Sequence, residues 1–516
     1  MLPDFQNTAL LDFSRPENEK GLRCGLETVR GQLGRTHPLV IGGRRIESSD
    51  TFQSTNPADP SQCVGNFAKA TADHVNQAVD AAERAFESWR WIPPVERANV
   101  LLRVAGIMRK RRHELSAAMI YEVGKSWAEA DGDTAEAIDF CEFYAREMHR
   151  WGGPQPITPY PGEENEFQYI PLGVGVVIPP WNFPLAITTG MTVASVVTGN
   201  TVVLKPSSDA PFIAWKLFEI LEEAGVPPGV VNFLPGPGGS MGDALVEHPR
   251  VRFIAFTGSK EVGIRIHERA ARVAPGQIWL KRMVMEMGGK DFTIVDEGSD
   301  LEAAVAGVAA GAFGFQGQKC SACSRAIVHR SLYDGFVEQL KARVATMTVG
   351  PTTEPQNYLG PVVSARAEKT ILEYIEVGKK EGKTLSGGAK HSGPGHFIQP
   401  TVFTDVRPDA RIAQEEIFGP VLAVIPASSF EEEIAIANGT IYGLTGAYYS
   451  RDRARIVEAK RRLHVGNLYI NRKCTGALVG VHPFGGFNMS GTDSKAGGRD
   501  YLGLFLQGKA ITELVG

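Results

Sequence analysis

Val174-Gly175-Val176-Val177-Ile178 is an unbroken apolar run of strand length, and what surrounds it decides the fold. A helical pattern over 187–197 follows, then a second apolar strand at 201–204 and a helix over 210–224. The rhythm repeats. Residues 230–233 lead into Gly236-Pro237-Gly238-Gly239 and a helix to 248, and 252–256 lead into Thr257-Gly258-Ser259 and a helix to about 271. Apolar strands alternating with helices imply right-handed crossovers and a doubly wound parallel sheet. Ligands of such sheets sit beyond the carboxyl ends of the strands, here at the glycine-rich turns. Helix N-termini behind those turns could hold a pyrophosphate. The common dinucleotide fingerprint is absent, because Gly236-x-Gly238 lacks the third glycine, and Gly258-Ser259-Lys260 lacks the rest of a phosphate-loop NTPase signature.

A second alternating unit begins after Glu286-Met287-Gly288-Gly289-Lys290. Strands at 292–295, 326–329 and 421–425 interleave with helices at 301–312, 333–347 and 365–381. Between the first of these helices and the strand at 326 lies Phe313-Gly314-Phe315-Gln316-Gly317-Gln318-Lys319-Cys320-Ser321-Ala322-Cys323-Ser324-Arg325. Cys320 thus sits in a glycine-punctuated connection, where scaffolds tend to carry chemistry. A thiolate there is a strong nucleophile, and Lys319 and free backbone amides are expected to lower its pKa. The alternative is a buried, inert thiol. Cys320-x-x-Cys323 can also be a redox dithiol or half a zinc site. No second Cys/His pair at ligand spacing accompanies it, so no metal is expected, while an inactivating disulfide stays open.

Upstream, residues 1–37 read as an arm or short helical preface. Residues 39–41 and 45–46, split by Gly42-Gly43, resemble a hairpin. Apolar residues recur at helical spacing over 73–89, with Thr71 or Asp73 as cap, and helical patterns run from 95 to about 151 with breaks near Gly124 and Gly132. Residues 154–171, rich in Pro and Gly, read as a hairpin with a short strand at 167–170; the tail, 501–506 and 509–514, reads as strand. An apolar terminal strand left open is an aggregation hazard, so a partner subunit is expected to cover it.

The bulk numbers exclude several classes. With 43% hydrophobic and 22% charged residues and a net charge of −4, nothing calls for nucleic acid or an anionic membrane. Six cysteines, at 24, 63, 141, 320, 323 and 474, are too sparse for a disulfide framework and fit a reducing compartment. The acidic, apolar-poor N-terminus is neither a secretory signal nor a transit peptide, and no run nears the roughly 20 apolar residues that span a bilayer. A soluble cytoplasmic protein is expected.

Several motifs occur in one order: Pro180-Trp181-Asn182-Phe183-Pro184, Lys205-Pro206-Ser207-Ser208, Phe256-Thr257-Gly258-Ser259, Glu286-Met287-Gly288-Gly289-Lys290, Gly317-Gln318-Lys319-Cys320, Glu415-Glu416-Ile417-Phe418-Gly419-Pro420 and Pro483-Phe484-Gly485-Gly486. Over roughly residues 40–516 the chain therefore resembles the NAD(P)-dependent aldehyde dehydrogenase superfamily. The resemblance implies that Cys320 attacks the aldehyde. The Asn182 amide and the Cys320 N–H would hold the oxyanion. Glu286, raised in pKa by partial burial, would activate water against the thioester. Read alone, Asn182 could be a turn-former and Glu286 a helix-capping carboxylate.

Cofactor roles are implied likewise. Lys205 would hold the adenosine ribose, Ser259 the pyrophosphate, Gly238 the adenine side, and Glu416 and Phe418 the nicotinamide ribose and ring. Ile178, Pro180, Trp181, Gly258 and Gly263 fall in the same motifs. Ser208 stands where many NAD-preferring relatives carry an acid, and a serine would not repel a 2′-phosphate. NAD with tolerance of NADP is expected.

Gly317 to Arg325, paired with Asn471-Arg472-Lys473-Cys474-Thr475-Gly476-Ala477, is similar to the branch that oxidises L-glutamate γ-semialdehyde, the 1-pyrroline-5-carboxylate dehydrogenases of proline breakdown. By that resemblance the amides of Gly476 and Ala477 grip the substrate α-carboxylate with help from Ser321 and Lys319, and Phe183 and Phe484 sandwich the chain. Lys319 could equally only bias the thiol, Thr475-Gly476 be a plain turn and Phe484 core packing. Another small aldehyde, such as a dicarboxylate semialdehyde, and a cofactor-free thiol hydrolase are the competing functions.

The whole reads as α/β: an arm (1–37), a doubly wound NAD(P)-binding domain (38–155 and 172–287), a second α/β catalytic domain (288–475), and an oligomerisation element (156–171 and 490–516). A homo-oligomer is expected, supplied with substrate by a separate proline dehydrogenase.

Overall fold

The apolar run at 174–178 forms the strand Val174–Ile178 at the centre of a seven-stranded sheet. The structure, a computed structural model, describes residues 3–515. Across this sheet the strands run Arg282–Glu286, Phe253–Thr257, Val174–Ile178, Thr201–Leu204, Val231–Phe233, then the antiparallel hairpin Leu39–Ile41 and Arg44–Ile46. The first five are mutually parallel. Chain order reverses direction at Val174–Ile178, so the crevice of a doubly wound sheet opens beyond Ile178 and Thr257.

Strand alternation explains why helices cover both faces. Val177, Val202, Leu204 and Phe253 point into one core with the helices Ala186–Val197 and Pro211–Glu223. Val176, Val203 and Ile254 point into the other, against Ala72–Trp89, Gly238–Glu247 and Lys260–Ala270. Each such fully buried aliphatic side chain is worth roughly 1.5–3 kcal/mol over an exposed one.

The second sheet also has seven strands, in the order Lys383–Ser386, Thr401–Thr404, Val421–Ala427, Arg325–His329, Phe292–Val295, Thr445–Tyr449, Asn467–Ile470. All pairs are parallel except at Lys383–Ser386, an antiparallel edge. Helices Leu301–Phe313 and Tyr333–Val344 cover one face, and Ala365–Glu381 the other.

Several local expectations need correction. Gly132 breaks nothing, because Trp127–Trp151 is one helix held by buried Ala130, Thr134 and Ile138; the interruptions fall at Arg111 and at Gly124, whose φ of 67° caps a helix. The segment at 501–506 is largely a 3₁₀ turn, Tyr501–Phe505, and the strand starts at Leu506. It pairs over nine residues with Glu163–Pro171, a strand longer than the four residues anticipated. Residues 490–505 do not extend with that ribbon: Ser490 O accepts the Met287 N–H at 2.7 Å, and Tyr501, Leu502 and Phe505 are buried in the first core. The arm is likewise no free preface, since Leu22, Leu26 and Val29 of helix Pro16–Arg30 join that core. Among the described residues no helix is long and apolar enough to cross a membrane, and no group of three His, Cys, Asp or Glu side chains could hold a metal.

Candidate active site

After helix Leu301–Phe313 the backbone turns left-handed three times in succession, at Phe315 (φ 49°), Gln316 (φ 56°) and Gly317 (φ 68°). Such positions cost about 1–3 kcal/mol each for residues other than glycine, so something must hold them. Gln316 Nε2 donates to Gly124 O at 3.1 Å and Pro361 O at 2.8 Å, and Gln318 Oε1 accepts the Val363 N–H at 2.9 Å. At Gly317 a Cβ would stand 2.2 Å from Gly419 O, so only glycine fits. Asn182 Nδ2 donates to Gln318 O at 3.2 Å, pinning the same turn from the first sheet. The N–H groups of Cys320 and Ser321 make no backbone hydrogen bond among the described residues.

The turn delivers Cys320 into a cavity of about 110 Å³ that also meets Glu286, Ser321, Gly476, Ala477, Phe183 and Phe484. The remaining wall includes Thr257 of the Phe256–Ser259 motif, and Glu136, Phe140, Met191, Ala496 and Tyr501, to which the sequence reading gave no site role. Glu286 closes the edge strand Arg282–Glu286; Ser494 Oγ donates to it at 2.5 Å and the Gly486 N–H at 3.2 Å. Burial outweighs these bonds and pushes its pKa up to about 8. Glu136 is pushed up to about 8 as well, by burial and then by Asp133.

Cys320 departs from expectation. Burial raises its thiol well above the ordinary range, and Asp291, Glu416, Glu286 and Glu136 raise it further. Lys319 does not offset this, because its ammonium pairs with Glu129 at 2.6 Å. For the same reason Lys319 is absent from the cavity wall, unlike Ser321, Gly476 and Ala477. Cys323 faces away from Cys320: its Sγ donates to Thr293 Oγ1 at 3.2 Å inside the second core, and all six cysteines are free. The two cysteines three residues apart form no dithiol here.

Phe183 and Phe484 both reach the cavity. Buried Lys125 sits 4.0 Å from the Phe183 ring centre and 4.3 Å from that of Phe315, and pairs with Asp133 at 3.2 Å. Phe484 is fixed by reciprocal backbone bonds with Ala496, 2.9 and 2.8 Å.

Most of the residues grouped as cofactor ligands ring the carboxyl ends of the first sheet. Ile178 ends the central strand, with Pro180 and Trp181 in the loop after it. Lys205 follows Thr201–Leu204; its amine is buried, donates to Pro206 O at 3.2 Å, and has its pKa lowered to about 8 by desolvation. Ser208 Oγ donates to Gly236 O at 3.3 Å, and Gly238 opens helix Gly238–Glu247. The Gly258 N–H bonds Glu286 O, Ser259 caps helix Lys260–Ala270, and Gly263 lies so close to Met287 that a Cβ would come within 2.5 Å of its sulfur. From the second sheet Glu416 accepts the Gly289 N–H at 3.0 Å, and Phe418 meets Trp181 edge-on at 5.4 Å. Glu416 and Phe418 line a pocket that adjoins Lys319 and Ser324.

A buried thiol, a buried carboxyl and a two-sheet α/β frame with this topology have matches among known proteins. The aldehyde dehydrogenase family model matches residues 45–511. The chain belongs to the aldehyde dehydrogenase family. Within the family, it is 54% identical over 514 residues to 1-pyrroline-5-carboxylate dehydrogenase of Geobacillus kaustophilus, covering 100% of both chains. It superposes on 1-pyrroline-5-carboxylate dehydrogenase from Thermus with bound NAD at a TM-score of 0.98 and 53% identity, over 99% of each chain. Proline utilization A from Bdellovibrio bacteriovorus matches at 0.97 and 45% identity, over 99% of this chain and 53% of that one. The family's α/β frame of parallel sheets is thus the fold of this chain.

Proposed function

We propose that the protein oxidises L-glutamate γ-semialdehyde to L-glutamate in proline breakdown, with NAD. The observation that carries this is one cavity whose wall holds Cys320, Glu286 and the Gly476–Ala477 turn together. The full-length likeness to enzymes named for 1-pyrroline-5-carboxylate supports the substrate. A small anionic aldehyde needs donors for its carboxylate away from the reacting carbon, and an acceptor for its ammonium group; Glu136 is the cavity carboxyl left for the latter.

The residues present fit a dinucleotide: a buried lysine amine with one carbonyl partner and a capped helix N-terminus at Ser259, both beyond the carboxyl ends of the first sheet. Lys205, Ser259, Glu416 and Phe418 would hold it, with Ser208 presenting no carboxylate to a 2′-phosphate, so NADP is tolerated. Bound there, NAD supplies the hydride acceptor. Cys320 Sγ forms the bond to the carbonyl carbon while Glu286, the base sharing its cavity, takes the thiol proton. The second N–H of Asn182 and the unpaired N–H of Cys320 receive the oxyanion. Hydride loss leaves a thioester on Cys320; Glu286 passes the thiol proton to solvent and, again a carboxylate, takes a proton from the water that hydrolyses the thioester.

Mixing the protein with NAD and the semialdehyde should raise absorbance at the reduced-nicotinamide wavelength, and a panel of aldehydes should rank this substrate first. No absorbance change with any aldehyde would overturn the reading. The ribbon of Glu163–Pro171 and Leu506–Leu514 supports a homo-oligomer in which another copy covers it. The free cysteines support a cytoplasmic setting.

A further inference from the structure

The family match starts at residue 45, so the N-terminal arm lies outside the shared frame. The arm nevertheless runs along the outside of helix Trp127–Trp151. The Thr8 N–H bonds Asp139 Oδ1 at 2.8 Å, the Leu11 N–H bonds Asp131 Oδ2 at 2.8 Å, and Phe5 packs edge-on against Phe143. One side chain does more than hold the arm down. Asn7 Nδ2 donates to Asp139 Oδ2 at 2.9 Å and to Val479 O at 2.9 Å. Asp139 shares its helix with Glu136 and Phe140, which wall the cavity, and Val479 lies two residues past Ala477. Next along the chain, the Gly480 N–H bonds Gly497 O at 2.8 Å beside cavity residue Ala496, and a Cβ on Gly480 would press on Phe143 and Phe5 at 3.0–3.1 Å. A turn built on a left-handed glycine, Gly476 at φ 81°, has little regular structure of its own to keep its amides aimed.

We propose that Asn7 is a positioning residue for substrate recognition: its amide crosslinks the loop presenting Gly476 and Ala477 to the helix carrying Glu136 and Phe140. The inference rests on the carboxylate grip proposed above. Both bonds of one amide are used, one of them to a carboxylate, so removing the donor releases the loop at its anchor. A small misplacement of donors weakens binding of a carboxylated substrate and leaves the thiol chemistry alone.

The test uses full-length Asn7→Ala and Asn7→Asp; the second keeps the side chain's shape and loses both donors. KM and kcat for glutamate semialdehyde, KM for NAD, and kcat/KM for propanal, which offers the amides nothing to hold, are measured for each. Expected is a KM for the semialdehyde raised about tenfold in both variants, with kcat, KM for NAD and the propanal value within about twofold of the parent. An unchanged semialdehyde KM in both variants, or an equal loss with propanal, would show that the arm only stabilises the fold and overturns the inference. A parent enzyme that oxidises propanal and leaves the semialdehyde untouched would fell the substrate reading, and this inference with it.

Discussion

The cavity around Cys320 and the ion pair behind its turn treat burial in opposite ways. Around Cys320, desolvation wins: the thiol is raised, and the Glu286 carboxyl rises to about 8 despite bonds from Ser494 and Gly486. At the Lys319–Glu129 pair, counter-charges win. Burial would raise the Glu129 carboxyl, but Lys319 and Lys125 outweigh it and hold it below its usual range. The same dry interior therefore holds groups raised by burial on the cavity wall, Glu286 and Glu136 among them, and a paired ionic network around Glu129. The difference lies in whether an opposite charge was folded in beside each group. A proton-transfer site gains from groups poised near neutral pH, while a recognition site gains from rigidity.

The sharpest way to break this contrast is at the sulfur. Cys320→Ala should abolish turnover, by at least about 10³-fold, while NAD binding measured by calorimetry persists. Substantial turnover by that variant would remove the reaction site altogether. Glu286→Gln should cost about 10²–10⁴ in kcat. The sign of its pH dependence follows from the raised pKa: below about 8 the carboxyl holds its proton and cannot act as base, so the parent's rate should climb as pH rises through that value. The variant should lack this limb, and a pH–rate profile shared by both proteins would discredit the assignment. At the gripping turn the expected effect is smaller and of another kind. Gly476→Ala has room for the methyl group, its nearest neighbours being 3.5 Å or more away, yet forces a non-glycine residue to φ 81°. KM for the semialdehyde should rise about tenfold with kcat and KM for NAD little changed, since strain of about 1–2 kcal/mol falls on the gripping turn alone. A matching fall in kcat would blur the two roles into one.

Much of this was legible before any coordinates. The alternation of apolar strands and helices at 174–271 and 292–381 located both sheets, because a doubly covered strand must be apolar throughout. The strands Arg282–Glu286, Lys383–Ser386, Thr401–Thr404, Thr445–Tyr449 and Asn467–Ile470 escaped notice: the first is an edge strand with polar ends, and the others are short runs broken by polar residues or a glycine. The motif residues Cys320, Glu286, Gly476, Ala477, Phe183 and Phe484 come together in one cavity, whereas Lys319 turns to Glu129, whose position 190 residues earlier gives no local cue. Glu136 carries no motif and is visible only as a wall.

From its sequence alone this chain declared its elements, its sheet class and the residue types at its reactive turn, since these follow from local periodicity and from glycines that permit left-handed backbone. Only the tertiary structure decided that burial raises the Cys320 thiol where Lys319 was expected to lower it, the partner of Lys319, and the clasp of Asn7 on Val479. Those depend on desolvation and on atoms brought together across 190 to 472 residues of chain, separations over which a sequence pattern has no reach.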